Sequence, residues 1–367
     1  MRVVIGTGGT AGHVFPAVAT AVRLRDRIGA DVVFLGRAEG QEADLVPAAG
    51  FRLETVEAVP FRRTFSLAAL RAPLAALRAA SSCRPVVREA DVVLGMGGYV
   101  SVPVSLAARR ERVPLVLHEQ NALPGLANRL AARWAGVVAL SFLEAGRRLP
   151  RRVRTALTGN PVRDAILRVR RERAAMAAEA AATLGLEAGR RTVAILGGSQ
   201  GALRLNRAGL ELCRIMADRS DLQVLLITGP RHHDAVRAHL PASKGLLVRT
   251  WPFVERVELV YAAADVAVAR AGAGTVAELT VCGVPAIFVP YPYATGRHQE
   301  ANARAVERAG GAVVVLDDAA SGSALAERLA LLDDPARLEA MARASGRFGR
   351  PDAADALADL AAAEART

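Results

Sequence analysis

The sequence predicts an α/β protein of two domains, each built on a parallel sheet of the nucleotide-binding type. Three observations predict it. Short apolar runs alternate with helical patterns throughout, as repeated βα units do. Gly6-Thr7-Gly8-Gly9-Thr10-Ala11-Gly12-His13 follows the apolar run Val3-Val4-Ile5 directly. In the second half, Gly197-Gly198-Ser199-Gln200-Gly201-Ala202 follows Val193-Ala194-Ile195-Leu196 in the same way. A buried strand that runs through glycines into a helix presents unpaired N–H groups at the helix's positive end, which suits a phosphate. Two such turns imply two nucleotide-fold domains facing one cleft.

In chain order, strands are expected at 2–6, 31–36, 52–57, 91–95, 114–118 and 137–141. A weaker one at 153–158 ends in Gly159-Asn160-Pro161. Charged, alanine-rich residues 163–190 read as helix and carry the chain across. Strands restart at 191–196, then 222–228, 245–249, 265–269, 285–289 and 312–316. The domains expected are 1–162 and 163–350. A C-terminal helix over 351–367 suits either, with a return onto the N-terminal domain considered.

A length of 367 residues exceeds one typical core. Hydrophobic residues reach 52% and aromatics only 4%, so Ala, Val and Leu must build both cores. The net charge of +12 points to an anionic partner: nucleic acid, a membrane surface or a phosphorylated substrate. Most arginines are read as solvating helix faces, and Lys244 is the only lysine, a compositional bias. Three scattered cysteines without a CxxC pair argue against a zinc site and a disulfide framework, and fit a reduced cytosolic setting. No signal peptide is expected, since the N-terminus enters a strand. Arginines interrupt every long apolar stretch, so no transmembrane helix is expected.

Residues 58–88 lack Asp and Glu but carry Arg62, Arg63, Arg71, Arg78, Arg84 and Arg88. Phe61, Phe65, Leu67, Leu70, Leu74 and Leu77 are interleaved. An apolar face ringed by arginine can lie in an anionic bilayer interface. An ordinary amphipathic helix packed on its sheet has the same pattern.

The first turn approaches a dinucleotide fingerprint, but the second strand ends in Gly36-Arg37 where NAD would want an acid. Arg37 could only suit NADP, and a redox cofactor has no use for His13 at the helix start. Neither turn continues into GK[ST], which argues against a P-loop kinase or ATPase. The second turn also reads G-x-S-x-G, with Asp265 and His298 following in order, so a serine hydrolase using Ser199 is a rival. That rival leaves the first half unexplained. His118-Glu119-Gln120-Asn121 follows Leu115-Val116-Leu117 and should share a sheet edge with Gly97-Gly98-Tyr99. Arg270-Ala271-Gly272-Ala273-Gly274-Thr275-Val276-Ala277-Glu278 is a further strand-glycine-helix passage. Glu278 there can reach a ligand's hydroxyls or complement the helix dipole. Gln299 and Asn302 share a helix face. No Asp-x-Asp occurs, so helix ends and arginine, not a metal, should neutralise a diphosphate. No cofactor is expected.

These segments, in this order, resemble glycosyltransferase family 28, the peptidoglycan N-acetylglucosaminyltransferases. The matching runs are 8–13, 97–101, 118–121, 159–163, 197–202, 270–278 and His298-Gln299 with Asn302-Ala303. The resemblance implies a GT-B architecture: two Rossmann-like domains with parallel sheets separated by a deep cleft. It implies UDP-N-acetylglucosamine as donor, a lipid-linked muramyl pentapeptide as acceptor, an anionic membrane surface on its cytoplasmic face, and no nucleic acid. It also implies an inverting displacement in which the acceptor 4-hydroxyl attacks and UDP leaves. By motif, Ser199 would touch a donor phosphate. Ala273, Gly274 and Thr275 would offer N–H groups, with Val276 and Ala277 leading on to Glu278 at the ribose. Val254 would meet the uracil and Gln299 the sugar hydroxyls. Asn121 and Arg163 would complete the donor site, and Thr10, Ala11 and Gly12 would close it. His13 is the candidate base, with His118 and Glu119 as alternatives. The family usually has Ser at Ala271 and a larger apolar residue at Gly274. A UDP-sugar epimerase of the same fold is a further alternative.

Overall fold

The computed structural model describes residues 1–56 and 67–366, without the side chains of 67–76. The expectations placed on Phe61, Arg62, Arg63 and Phe65, and on the side chains of Leu67, Leu70, Arg71 and Leu74, therefore lie outside the described residues. The chain divides into two compact units. One comprises Met1–Arg163 with Pro351–Thr367, the other Asp164–Arg350.

The first unit holds β1 (Arg2–Gly6), β2 (Asp31–Gly36), β3 (Arg52–Thr55), β4 (Val92–Gly95), β5 (Leu115–Glu119), β6 (Val137–Leu140) and β7 (Thr155–Leu157). They form a parallel sheet in the order β3-β2-β1-β4-β5-β6-β7. The central strands are continuous apolar runs because both faces are covered. Val3 and Ile5 join Val14, Ala17, Ala21 and Leu24 of helix Ala11–Ile28 on one face. Val4, between them, joins Val100, Val104 and Ala107 on the other. Helix Ala353–Ala363 returns to the first face and buries Leu357, Ala358 and Ala361 there.

Helix Leu67–Arg88 precedes β4. Within its described side chains, Ala79, Ala80, Cys83 and Val87 are buried while Leu77 and Arg78 are exposed. From residue 77 onward, its apolar stripe faces the core. All three cysteines are buried and free, and burial pushes the Cys83 and Cys213 thiols up to about 12. Among the described residues, no helix is long and apolar enough to cross a membrane.

The second unit holds β8 (Arg191–Leu196), β9 (Leu222–Ile227), β10 (Leu247–Trp251), β11 (Val266–Ala269), β12 (Ala286–Phe288) and β13 (Ala312–Val314). Its parallel order, β10-β9-β8-β11-β12-β13, is that of a doubly wound nucleotide-binding sheet. Strand β10 begins two residues later than the expected 245–249. The N–H groups of Gly245 and Leu246 both donate to the Ala217 carbonyl, at 3.0 and 3.1 Å, and cannot join the ladder. The helix expected over 163–190 runs Asp164–Leu184, with non-helical torsions at Glu172. It stops because Gly185 turns left-handed (φ 71°) and Leu186 N–H closes onto the Ala181 carbonyl at 2.9 Å.

Candidate functional site

In an open α/β sheet, ligands bind beyond the carboxyl ends of the strands, where the strand order reverses direction. In the first unit that point lies between β1 and β4, and in the second between β8 and β11. The glycine-rich motifs follow those four strands, residues 118–121 close β5, residues 159–163 follow β7 and residues 298–303 come after β12.

In the first unit, Thr10 caps helix Ala11–Ile28 in extended conformation. His13 sits on the helix's first turn, half-buried, with Nδ1 3.0 Å from the Thr10 hydroxyl. When Nδ1 carries the proton and donates to Thr10, Nε2 keeps the lone pair a base needs. The imidazole packs beside Gly97, where a Cβ would come within 3.0 Å of its Cδ2. Gly98 lies against the first turn backbone to backbone, and a Cβ there would sit 2.1 Å from the Gly8 carbonyl oxygen.

The first turn differs from the expected open phosphate seat. Glu42 is fully buried beneath it. Its Oε2 accepts from Gly9 N–H at 3.3 Å and its Oε1 from Arg37 N–H at 3.0 Å. Cβ atoms at Gly8, Gly36 and Gly40 would approach Glu42 to 2.5, 2.7 and 2.2 Å, so these glycines make room for it. An internal carboxylate therefore occupies one N–H that an incoming phosphate would use. Arg37, offered above for an NADP phosphate, has its own N–H bound to the same carboxylate.

His118 and Glu119 are interior groups. Glu119 accepts from Asn121 N–H (2.9 Å), Gly125 N–H (3.1 Å) and Asn128 Nδ2 (2.9 Å), and so shapes the loop after β5. Burial pushes its carboxyl above the ordinary value. The Nε2–H of His118 donates to the Gly159 carbonyl at 3.0 Å, and its ring is 1% exposed. Burial lowers its pKa to about 4, from an ordinary value of 6.5. Between those values the unfolded chain binds the extra proton, so stability rises with pH there. This group should cost roughly 3 kcal/mol as pH falls from about 6.5 to about 4. The melting temperature of His118→Gln should show a shallower acid slope than that of the native chain. Equal slopes would refute the assignment. Glu119 contributes the opposite slope above its ordinary value, so the comparison is between variants. Asn121 is half-buried on this loop, and Arg163 stacks over Phe15 at 4.5 Å from the ring centroid.

In the second unit, the turn Gly197–Ala202 packs onto the end of β9. Gly201 (φ 74°) is so close that a Cβ would lie 2.0 Å from the Thr228 carbonyl oxygen. Ser199 projects from this turn and is exposed. Helix Ala273–Val281 starts directly beyond β11, capped by Gly272, which brings no side-chain acceptor to its first N–H groups. The segment Ala273, Gly274, Thr275, Val276 and Ala277 forms its opening turns. Glu278 stands on the second turn, not the first, and accepts from the Tyr261 hydroxyl at 2.8 Å. Gln299 receives Tyr291 N–H at 2.9 Å. Asn302 is buried and donates to the Ala271 carbonyl at 3.2 Å. Ala271, where the family's serine is expected, is itself fully buried, and a Cβ at Gly274 would meet open space. Val254 is half-buried in the loop after β10.

The hydrolase alternative fails on geometry. Asp265 precedes β11 and accepts from Thr192 N–H at 2.7 Å, near the start of β8. Ser199 follows the far end of β8, and the two strands are parallel. The sheet's length separates them. Sequence reasoning missed Glu42 and Tyr261, whose bonds to the motif residues Gly9 and Glu278 span 33 and 17 residues. The stretch Gln41-Glu42-Ala43-Asp44 carries no motif that singles out Glu42.

Two doubly wound units, each with helix-opening turns at its switch point, define a GT-B-type nucleotide-sugar enzyme. The glycosyltransferase family 28 N-terminal domain matches residues 3–140, and its C-terminal domain matches residues 192–357. A UDP-N-acetylglucosamine--N-acetylmuramyl-(pentapeptide) pyrophosphoryl-undecaprenol N-acetylglucosamine transferase of Halothermothrix orenii is 40% identical over 98% of both chains. The crystal structure of Acinetobacter baumannii MurG superposes with a TM-score of 0.80 at 28% identity, covering 99% of each chain. A UDP-GlcNAc 2-epimerase of Neisseria meningitidis bound to UDP-GlcNAc shares the fold (TM-score 0.70, 98% and 99% covered) at 14% identity. The chain belongs to glycosyltransferase family 28 and is a hexosyltransferase by that membership.

Proposed function

We propose that this chain transfers N-acetylglucosamine from UDP-N-acetylglucosamine to the 4-hydroxyl of undecaprenyl-diphosphate-linked N-acetylmuramyl pentapeptide, inverting the anomeric centre. The observation that carries it is the 40% identity, end to end, with a relative named for this transfer. The epimerase alternative has only a shared fold behind it.

Charge develops on the departing diphosphate, so preorganised N–H donors matter most, each worth ~3 kcal/mol in typical cases. The opening of helix Ala273–Val281, with Ala273, Gly274 and Thr275, supplies them in this reading, and the exposed Ser199 hydroxyl adds another. Glu278 takes the ribose hydroxyls, Val254 packs on the uracil and Gln299 reads the sugar. Thr10, Ala11, Gly12, Asn121 and Arg163 are the first unit's contributions. His13 is the base. His118 and Glu119 orient the loops around it, since both are buried and engaged with backbone groups. Transfer of labelled sugar from UDP-N-acetylglucosamine to a lipid-linked muramyl acceptor, with a β-linked product, is the expected result. UDP-sugar turnover without acceptor, or no turnover at all, would overturn it.

We place the enzyme peripherally on the cytoplasmic face of the cell membrane, through the acid-free segment 58–88. Neutralising Arg62, Arg63, Arg71 and Arg78 together should lower co-sedimentation with anionic vesicles. Undiminished binding would give the segment a purely structural role.

A further inference from the structure

We infer that Tyr261 is a positioning residue that sets Glu278 for the donor's ribose, an inference that rests on the donor reading above. Tyr261 lies on helix Val257–Ala263 and is 3% exposed. Its hydroxyl is directed at Glu278 Oε2, 2.8 Å away. Glu278 stands on the helix that opens beyond β11, at the strand-order reversal, where a nucleotide is expected. A glutamate there has several freely turning bonds, and a ligand would have to freeze them. The buried phenol holds one carboxylate oxygen in advance through a charge-assisted bond. A phenol gives one hydrogen, whereas a carboxylate has about four lone-pair sites. The single bond from Tyr261 therefore does not exhaust the carboxylate. Tyr261 never touches the nucleotide and acts through Glu278.

The test compares UDP with 2′,3′-dideoxy-UDP, by calorimetry on the full chain. The native protein should prefer UDP. In Tyr261→Phe, UDP should weaken about tenfold while the dideoxy nucleotide is unchanged, the loss expected for a bond to a charged group. In a Glu278→Ala background, adding Tyr261→Phe should change neither affinity further. Equal weakening of both nucleotides, or a full tenfold effect surviving in the Glu278→Ala background, would make Tyr261 merely structural and overturn the inference. A native chain that binds UDP but ignores the ribose hydroxyls overturns the inference and the ribose role of Glu278, and leaves UDP as the donor nucleotide. One that binds no UDP overturns the donor reading and the inference with it.

Discussion

His13→Ala lowers kcat by ~10²–10⁴, the range for removal of a general base, and leaves UDP affinity nearly intact. Three features of the first unit lead to this expectation. His13 is held at the start of helix Ala11–Ile28, on the sheet edge where ligands gather. Its Nδ1 lies 3.0 Å from the Thr10 hydroxyl, and when Nδ1 donates there Nε2 keeps the lone pair. The other two candidates on that edge, His118 and Glu119, are at most 2% exposed and bonded to loop backbone. The measurement is steady-state transfer alongside UDP calorimetry. A variant with native kcat would remove His13 from the mechanism. A variant with weakened UDP binding and native kcat would make it a donor contact. The limb of the pH–rate profile that reports the base should vanish in the variant as well.

The second large effect is expected from Gly201→Ala. The left-handed torsion alone costs an alanine about 1–2 kcal/mol. The added Cβ would also lie 2.0 Å from Thr228 O and 2.8 Å from Gly229 Cα, both backbone atoms that no side-chain rotation can move. The turn, which carries Ser199, must open, and with it the start of helix Leu203–Ile215. We expect a clear drop in melting temperature and UDP binding weakened at least a hundredfold. Gly274→Ala is the contrast, since its Cβ meets open space and alanine favours a helix by up to about 1 kcal/mol. Its melting temperature should hold or rise. If Gly201→Ala melts and binds like the native chain, the turn is more yielding than this packing implies.

Both sheets were legible in the sequence because parallel strands covered on both faces must be apolar throughout, and the glycine turns mark their carboxyl ends. The thirteen strands among the described residues all fall at or within two residues of the positions expected. What decides the edges is longer-range. The shift of β10 depends on the Ala217 carbonyl, and nothing local announces it. The site was legible as a set of polar residues after strands, but not as a division of labour. His118 and Glu119 are read from the sequence as freely as His13, yet strand alternation and the loop behind them turn both inward. Glu42 was invisible because its meaning comes from three glycines and two N–H groups assembled by folding.

The last helix of the first unit has a consequence for how the protein is made. Leu357, Ala358 and Ala361 seal the apolar strip formed by Ala17, Ala21 and Leu24, and they are made only after the whole of the second unit. The interposed domain can therefore finish before the domain that starts the chain is sealed. Until those residues are made, a sticky seam stays open to solvent, so a chain cut before Leu357 should yield aggregates rather than a slightly shorter enzyme.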